Sequence, residues 1–127
     1  MAPATLVNLD IEDGLRVIEA LDAAGNAPQV ALWAKLQDYE NWRLVLASDR
    51  LDQESEFNAY TEINKAIDKA GIPIHRQPGL LLRKMKNPFI QALRSAFAAT
   101  SDTYGMRLGG QTFGGKYLEE AFVYRIK

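Results

Sequence analysis

Apolar residues recur along the first half of the chain in two different rhythms. In DIEDGLRVIEALDAA, residues 10–24, Ile11, Leu15, Ile18 and Leu21 fall three or four apart, which predicts an amphipathic helix from Asp10 to Ala24. Asp10 is placed to cap its first turn, and Gly25 followed by Asn26 to stop it. Gly14 stands inside this helix at a cost of up to about 1 kcal/mol relative to alanine, which packing can override. The rhythm then changes. QVALWAKL, residues 29–36, and WRLVLAS, residues 42–48, are strand-length apolar runs flanking the polar stretch QDYEN. A five-residue connection between two such runs predicts a hairpin, with Trp33 in the core and Trp42 beside the turn.

SDRLDQESE, residues 48–56, reads as a polar loop leading to a second helix from Ser55 to Ala70. Phe57, Tyr60, Ile63, Ile67 and Ala70 form its apolar stripe, and Gly71 and Pro73 end it. IPIH and GLLLRK follow as short extended segments around a QPG turn. NPFIQALRSAFAAT, residues 87–100, is the third helix, with Asn87 as cap, Pro88 at the first helical position and Phe89, Leu93 and Phe97 facing inward. TYGMRL reads as a strand. In KYLEEAFVYRIK, residues 116–127, Leu118, Glu120, Phe122, Tyr124 and Ile126 alternate with their neighbours, and both faces become apolar toward the end. That pattern places the last strand inside the sheet. The expected architecture is one α+β domain over residues 1–127: a mixed or mostly antiparallel sheet of about five strands packed with three helices, in the order αββαβαββ.

Composition limits the chemistry. A chain of 127 residues buries roughly two-thirds of its unfolded surface and needs no covalent staple. Cysteine is absent, which removes disulfides, thiolate nucleophiles and cysteine-ligated metals. The amino-terminal MAPATLVNLDIEDG lacks the basic start and apolar run of a secretory signal, and no apolar run approaches a membrane span, so a soluble cytoplasmic protein is expected. Charge is divided unevenly. Residues 1–68 carry thirteen acids and five bases, whereas residues 69–127 carry three acids and ten bases. Such a split marks a candidate anion-binding face.

GQTFGGKY, residues 110–117, approaches the phosphate-cradling loop of nucleotide hydrolases. That loop needs a strand before it, a helix after it and a serine or threonine following the lysine to hold magnesium. Here Tyr117 stands at that position and a strand pattern follows. The glycines therefore read as a bend between two strands, where positive backbone dihedrals are required. As a broad loop, Gly109 to Gly115 exposes backbone amides, and the flanking Arg107 and Lys116 make it a candidate anion site. The stretch RQPGLLLRKMKNP adds Arg76, Arg83, Lys84 and Lys86 as further candidate ligand- or anion-binding residues. Nucleic-acid binding through residues 76–94 is a weaker alternative, because neither a recognition helix nor exposed aromatics accompany the bases.

His75, the one histidine, is a candidate general base, and Glu120 a candidate acid, because it shares its strand face with Leu118, Phe122 and Tyr124. No serine elbow, metal-ligand spacing or cofactor fingerprint accompanies them, so no cofactor or metal is expected.

IEDGLRVIEALDAAGNAPQVALW, WRLVLAS and YLEEAFVYRI together resemble a loose set of small bacterial hypothetical proteins, some of the kind carried on mobile gene cassettes. The resemblance spans most of the chain but rests on packing patterns. It implies an α+β fold and transfers no activity and no functional residue. The expected function is accordingly binding without catalysis, by a homo-oligomer, a dimer first of all. The alternative is a small-molecule binder or small enzyme with a pocket between sheet and helices.

Overall fold

A computed structural model describes residues 5–127; the first four residues of the amino-terminal stretch lie outside the described residues. The elements run α1 (Asn8–Ala23), β1 (Val30–Leu36), β2 (Arg43–Ala47), α2 (Asp49–Asp52), α3 (Glu56–Lys69), β3 (Leu80–Leu82), α4 (Pro88–Ala96), β4 (Arg107–Phe113) and β5 (Lys116–Ile126). The strands form one mixed sheet in the order β3-β2-β1-β5-β4, antiparallel throughout except for the parallel β2–β3 pair. The α+β architecture expected from the chain is the one observed, and β5 lies inside the sheet.

Helices cover both faces. On one face α1 and α3 bury Val17, Leu21, Ile63 and Ile67 against Trp33, Leu44, Leu46 and Tyr124. On the other, α4 buries Phe89, Ile90 and Leu93 against Leu32, Val45, Ala121 and Val123. Strands covered on both sides must be apolar at nearly every position, which is why β1 and β2 read as continuous runs rather than alternating ones.

Gly14 now has its physical reason. Trp33 Nε1 donates to the Asp10 carbonyl at 3.1 Å and the Tyr124 hydroxyl to the Ile11 carbonyl at 2.5 Å. A Cβ on Gly14 would collide with that hydroxyl and stand 2.8 Å from Trp33 Nε1. The glycine lets two aromatic side chains reach the backbone of α1, and burial pushes the Tyr124 phenol well above its ordinary pKa of 10.0.

Several local expectations are corrected. Helix α1 begins earlier than Asp10, which sits in its first turn and accepts from Val7 N at 3.0 Å instead of occupying the cap position. The polar stretch after β2 contains the four-residue helix α2, capped by Ser48, whose hydroxyl accepts from Leu51 N. Phe57 is 79% exposed; the buried stripe of α3 is Ala59, Ile63, Ala66 and Ile67. IPIH is not extended: Ile74–Arg76 form a single 3₁₀ turn. Gly109 to Phe113 belong to β4, so the broad loop shrinks to a two-residue turn, Gly114–Gly115, with φ of +56° and +84°. Those dihedrals at both central positions suit a tight hairpin. The strand leaving Lys116 removes the nucleotide-loop geometry altogether.

The single face imagined for β5 is also broken. Register shifts against β1 leave Glu119 and Tyr124 without directly opposed partners. Leu118 and Ile126 consequently join the α4 face while Phe122 and Tyr124 stay on the α1 face.

Candidate functional site

A sizeable concavity lies beside β3, the shortest strand. LLL pairs in parallel with β2, Leu44 opposite Leu80 and Leu46 opposite Leu82. Leu44 N donates to Gly79 O at 2.8 Å and Arg83 N to Leu46 O at 2.9 Å, closing both ends of the ladder. On the outer side, Leu82 N donates to the Tyr60 hydroxyl at 3.0 Å. Helix α3 thus satisfies an edge amide that a sixth strand would otherwise take.

Immediately after β3 the chain turns through Arg83–Asn87 into α4, and this turn is clasped to α2. Met85 N donates to Asp52 Oδ2 at 2.9 Å, and Lys84 Nζ donates to the Asp52 carbonyl at 3.0 Å. Met85 is buried, and its carbonyl accepts from Gln91 Nε2 at 2.6 Å. Arg83 is fixed from the other side, donating to Leu82 O at 3.1 Å and to the Tyr39 hydroxyl at 3.2 Å. The Tyr39 ring in turn faces the Arg43 guanidinium, 5.1 Å from its centroid. Lys86 is exposed and makes no hydrogen bond or ion pair with the described residues.

Between this turn and α2–α3 opens a cleft of about 430 Å³. Leu51, Ala59, Leu82 and Pro88 supply its apolar lining, and Arg83, Lys84 and Lys86 its cations. Asp52 and Glu56 also line it, with Asp52 already engaged by the Met85 amide. A second cleft of about 410 Å³, lined by Met85 and Gln91, shares Asp52, Lys84 and Lys86 with it. The two lysines form the ridge between them. Chemically the site offers an apolar floor and an adjacent positive wall, two of whose three cations are held in place by the fold.

The structure brings together only half of the residues singled out as anion ligands. Arg83, Lys84 and Lys86 converge on the cleft. Arg76 instead donates to Asp13 Oδ1 through Nε at 3.2 Å and through one terminal nitrogen at 3.0 Å, tying the 3₁₀ turn to α1. Lys116 pairs with Asp38 across the β1–β2 connection. Arg107 lies on β4, its guanidinium 5.2 Å from the Phe122 ring centroid. With the loop reduced to a tight turn, Arg107 opens β4 and Lys116 opens β5 at the other end of the hairpin, so the two do not flank one loop.

His75 and Glu120 do not share a cavity either. His75 is exposed and lines a hollow of about 100 Å³ with Asp10, Asp13 and Trp33. Glu120 is exposed on β5, where the bulge at Glu119 separates it from the face of Leu118. A general acid and base must reach one substrate, and this pair has no common cleft.

Asp52 and Tyr39 are not among the residues singled out from the chain, and Tyr60 reads there only as part of an apolar stripe, yet all three hold the site in shape. Asp52 had a legible signal: Ser48 followed by Asp49 and Leu51 is a helix start, and it places Asp52 in the last position of α2. Tyr39 and Tyr60 act on residues 44 and 22 positions away, and no local pattern reports that.

Comparison with protein-family models, curated proteins and solved structures finds no match for this chain. Among the described residues no helix is long and apolar enough to cross a membrane.

Proposed function

We propose that the protein binds a small amphipathic anion in the cleft beside β3. The apolar body lies against Leu51, Ala59, Leu82 and Pro88, and a carboxylate or phosphate group is met by Arg83 and Lys86. One observation carries this reading: three cations converge on a cleft of about 430 Å³ whose floor is apolar. That size falls within the roughly 300–1,000 Å³ typical of small-molecule sites.

Preorganisation supports it. Tyr39 holds Arg83, and the carbonyls of Asp52 and Glu54 hold Lys84, so binding freezes little beyond the Lys86 side chain. Glu56, also in the lining, steers the anion toward the cations by repulsion. The lining contains no histidine, serine or cysteine, which favours binding over nucleophilic turnover.

A thermal-shift series on one apolar body tests this: hexyl phosphate, hexanoate and hexylammonium. Binding to the folded state alone must raise apparent stability. The two anions are expected to raise Tm, hexylammonium to leave it unchanged, and Lys86→Ala to abolish most of the anion shift. Equal shifts from all three, or an anion shift that survives Lys86→Ala, would sink the proposal. An oligonucleotide bound more tightly than these ligands, with steep salt dependence, would replace it with the nucleic-acid reading.

A further inference from the structure

Strand β4 forms the second edge of the sheet, and its backbone geometry is specific about what can pair with it. Val123 N donates to Met106 O at 2.9 Å. The Met106 amide turns back to Thr103 O at 3.2 Å, so its carbonyl alone is bonded to β5. Backbone groups alternate sides along an antiparallel ladder, so those of Leu108 also face β5 while those of Arg107 and Gly109 point outward. The run ends at Gly110, whose φ of +66° turns the chain out of the pleat. What remains for an incoming strand is Met106 to Gly110.

The side chains narrow the choice of partner. Leu108 and Met106 are half-buried against the α4 cluster and give that face of the edge an apolar strip. On the α1 face lie Arg107 and Gly109, opposite Phe122 and Glu120 of β5 respectively. Arg107 and Glu120 are both exposed and neither has an ion-pair partner among the described residues. Lys35, opposite Glu120 on β1, forms no ion pair with it.

We infer that β4 pairs antiparallel with β4 of a second copy about a two-fold axis at Leu108, giving a continuous ten-stranded sheet. This register sets Arg107 opposite the partner's Gly109, using the outward backbone groups of both residues for reciprocal hydrogen bonds. The partner's Arg107 then lies in line with Gly109 and, one strand farther, with Glu120 on the same face. Two strand spacings, roughly 10 Å, separate the arginine backbone from that of Glu120. Gly109 between them has no side chain, so a guanidinium that swings from the Phe122 ring toward the partner strand meets the carboxylate over it. Any larger residue at that position would bring its Cβ to 3.0 Å from Glu119 O as well as closing the gap. By symmetry the contact occurs twice, and Leu108 meets its own copy on the other face as a non-hydrogen-bonded pair. Each complementary group is supplied by the same surface, which is the requirement of an isologous interface. This inference is independent of the cleft.

Sedimentation equilibrium on the full chain from low to high micromolar concentration tests the interface by charge exchange. Arg107→Glu and Glu120→Arg are each expected to weaken dimerisation by about tenfold, since each reverses two symmetry-related pairs. The double exchange restores it to within a few-fold. The chain has no cysteine, so a second test does not depend on those variants. Leu108→Cys places two thiols at the axis, where Cα atoms of a non-hydrogen-bonded pair are about 4.5 Å apart and a disulfide can close. Mild oxidation is expected to link Leu108→Cys into dimers and to leave Thr112→Cys, beyond Gly110, unlinked. A monomer at every concentration overturns the inference. So does a dimer indifferent to both reversals, or equal cross-linking of the two cysteine variants.

Discussion

The sheet's two outer strands are both edges, yet they meet solvent in different ways. β3 is three residues long, its outward Leu82 amide is taken by Tyr60, and a clasped turn and two helices gather around it. β4 is seven residues long, six of them exposed or half-exposed, and among the described residues no helix closes its outer side. Covering an edge takes side chains that reach across from other elements, and their shapes rarely match perfectly. At β3 that mismatch leaves the apolar-floored cleft. At β4 the described residues leave the outward hydrogen-bonding groups of Arg107 and Gly109 open, the condition under which an edge strand can pair. Under the two proposals, one end of the sheet takes a small molecule and the other a strand.

The largest expected effect comes from the anchored end of β4. Gly114 has φ of +56°, and a Cβ there would collide with the Pro88 carbonyl and lie 2.7 Å from Phe89 N. Gly115 has φ of +84° but open space around the same position. Gly114→Ala is therefore expected to cost about 3 kcal/mol or more, strain and collision combined, and Gly115→Ala only about 1–2 kcal/mol. Urea denaturation compares them. Equal losses would mean that the hairpin tip does not dock on α4.

Next in size is the cover on β3. Tyr60→Phe leaves the Leu82 amide without its partner and is expected to cost about 1–2 kcal/mol. Amide exchange read residue by residue should show Leu82 losing protection selectively; unchanged protection there would contradict the capping role.

The sheet interior gives a reference between the edges. Burial raises the Tyr124 phenol above its ordinary pKa of 10.0. Its neutral form is favoured by the fold, so the associated stability is fully present below pH 10 and is lost as pH climbs toward the folded-state value. Above pH 10 the loss approaches about 1.4 kcal/mol per pH unit for this one group. Tyr124→Phe should flatten that alkaline limb in denaturation curves taken at successive pH values, and an equally steep limb in the variant would refute the assignment.

The smallest stability effect is expected at Lys86. Its side chain makes no hydrogen bond or ion pair with the described residues, so Lys86→Ala should shift stability by less than about 0.5 kcal/mol. A larger loss in urea denaturation would show Lys86 to be a structural residue and not the cleft's free cation.

Much of this molecule is legible in short stretches of its chain. The periodicity of α1, the apolar runs of β1 and β2, the Asn87–Pro88 start of α4 and the Gly114–Gly115 turn all follow from residues within a few positions of one another. Phe57 illustrates where such reading fails: it lies in phase with Tyr60, but the face that meets the core runs through Ala59, Ile63, Ala66 and Ile67 and leaves Phe57 exposed. The alternation of β5 fails for a related reason, because bulges opposite β1 change which face a residue occupies, and a bulge is a property of the pair of strands.

The site divides along the same line. That Arg83, Lys84 and Lys86 belong to one basic turn is written in consecutive residues, and so is the acid-rich character of the segment that became α2 and the start of α3. That these two stretches face each other across a cleft, while Arg76, Arg107 and Lys116 are drawn off to Asp13, Phe122 and Asp38, was decided only when the sheet was assembled. Helix periodicity, capping and turn dihedrals depend on neighbours in the chain. Ion pairs, edge exposure and cavities depend on distances that close only when segments tens of residues apart share one core.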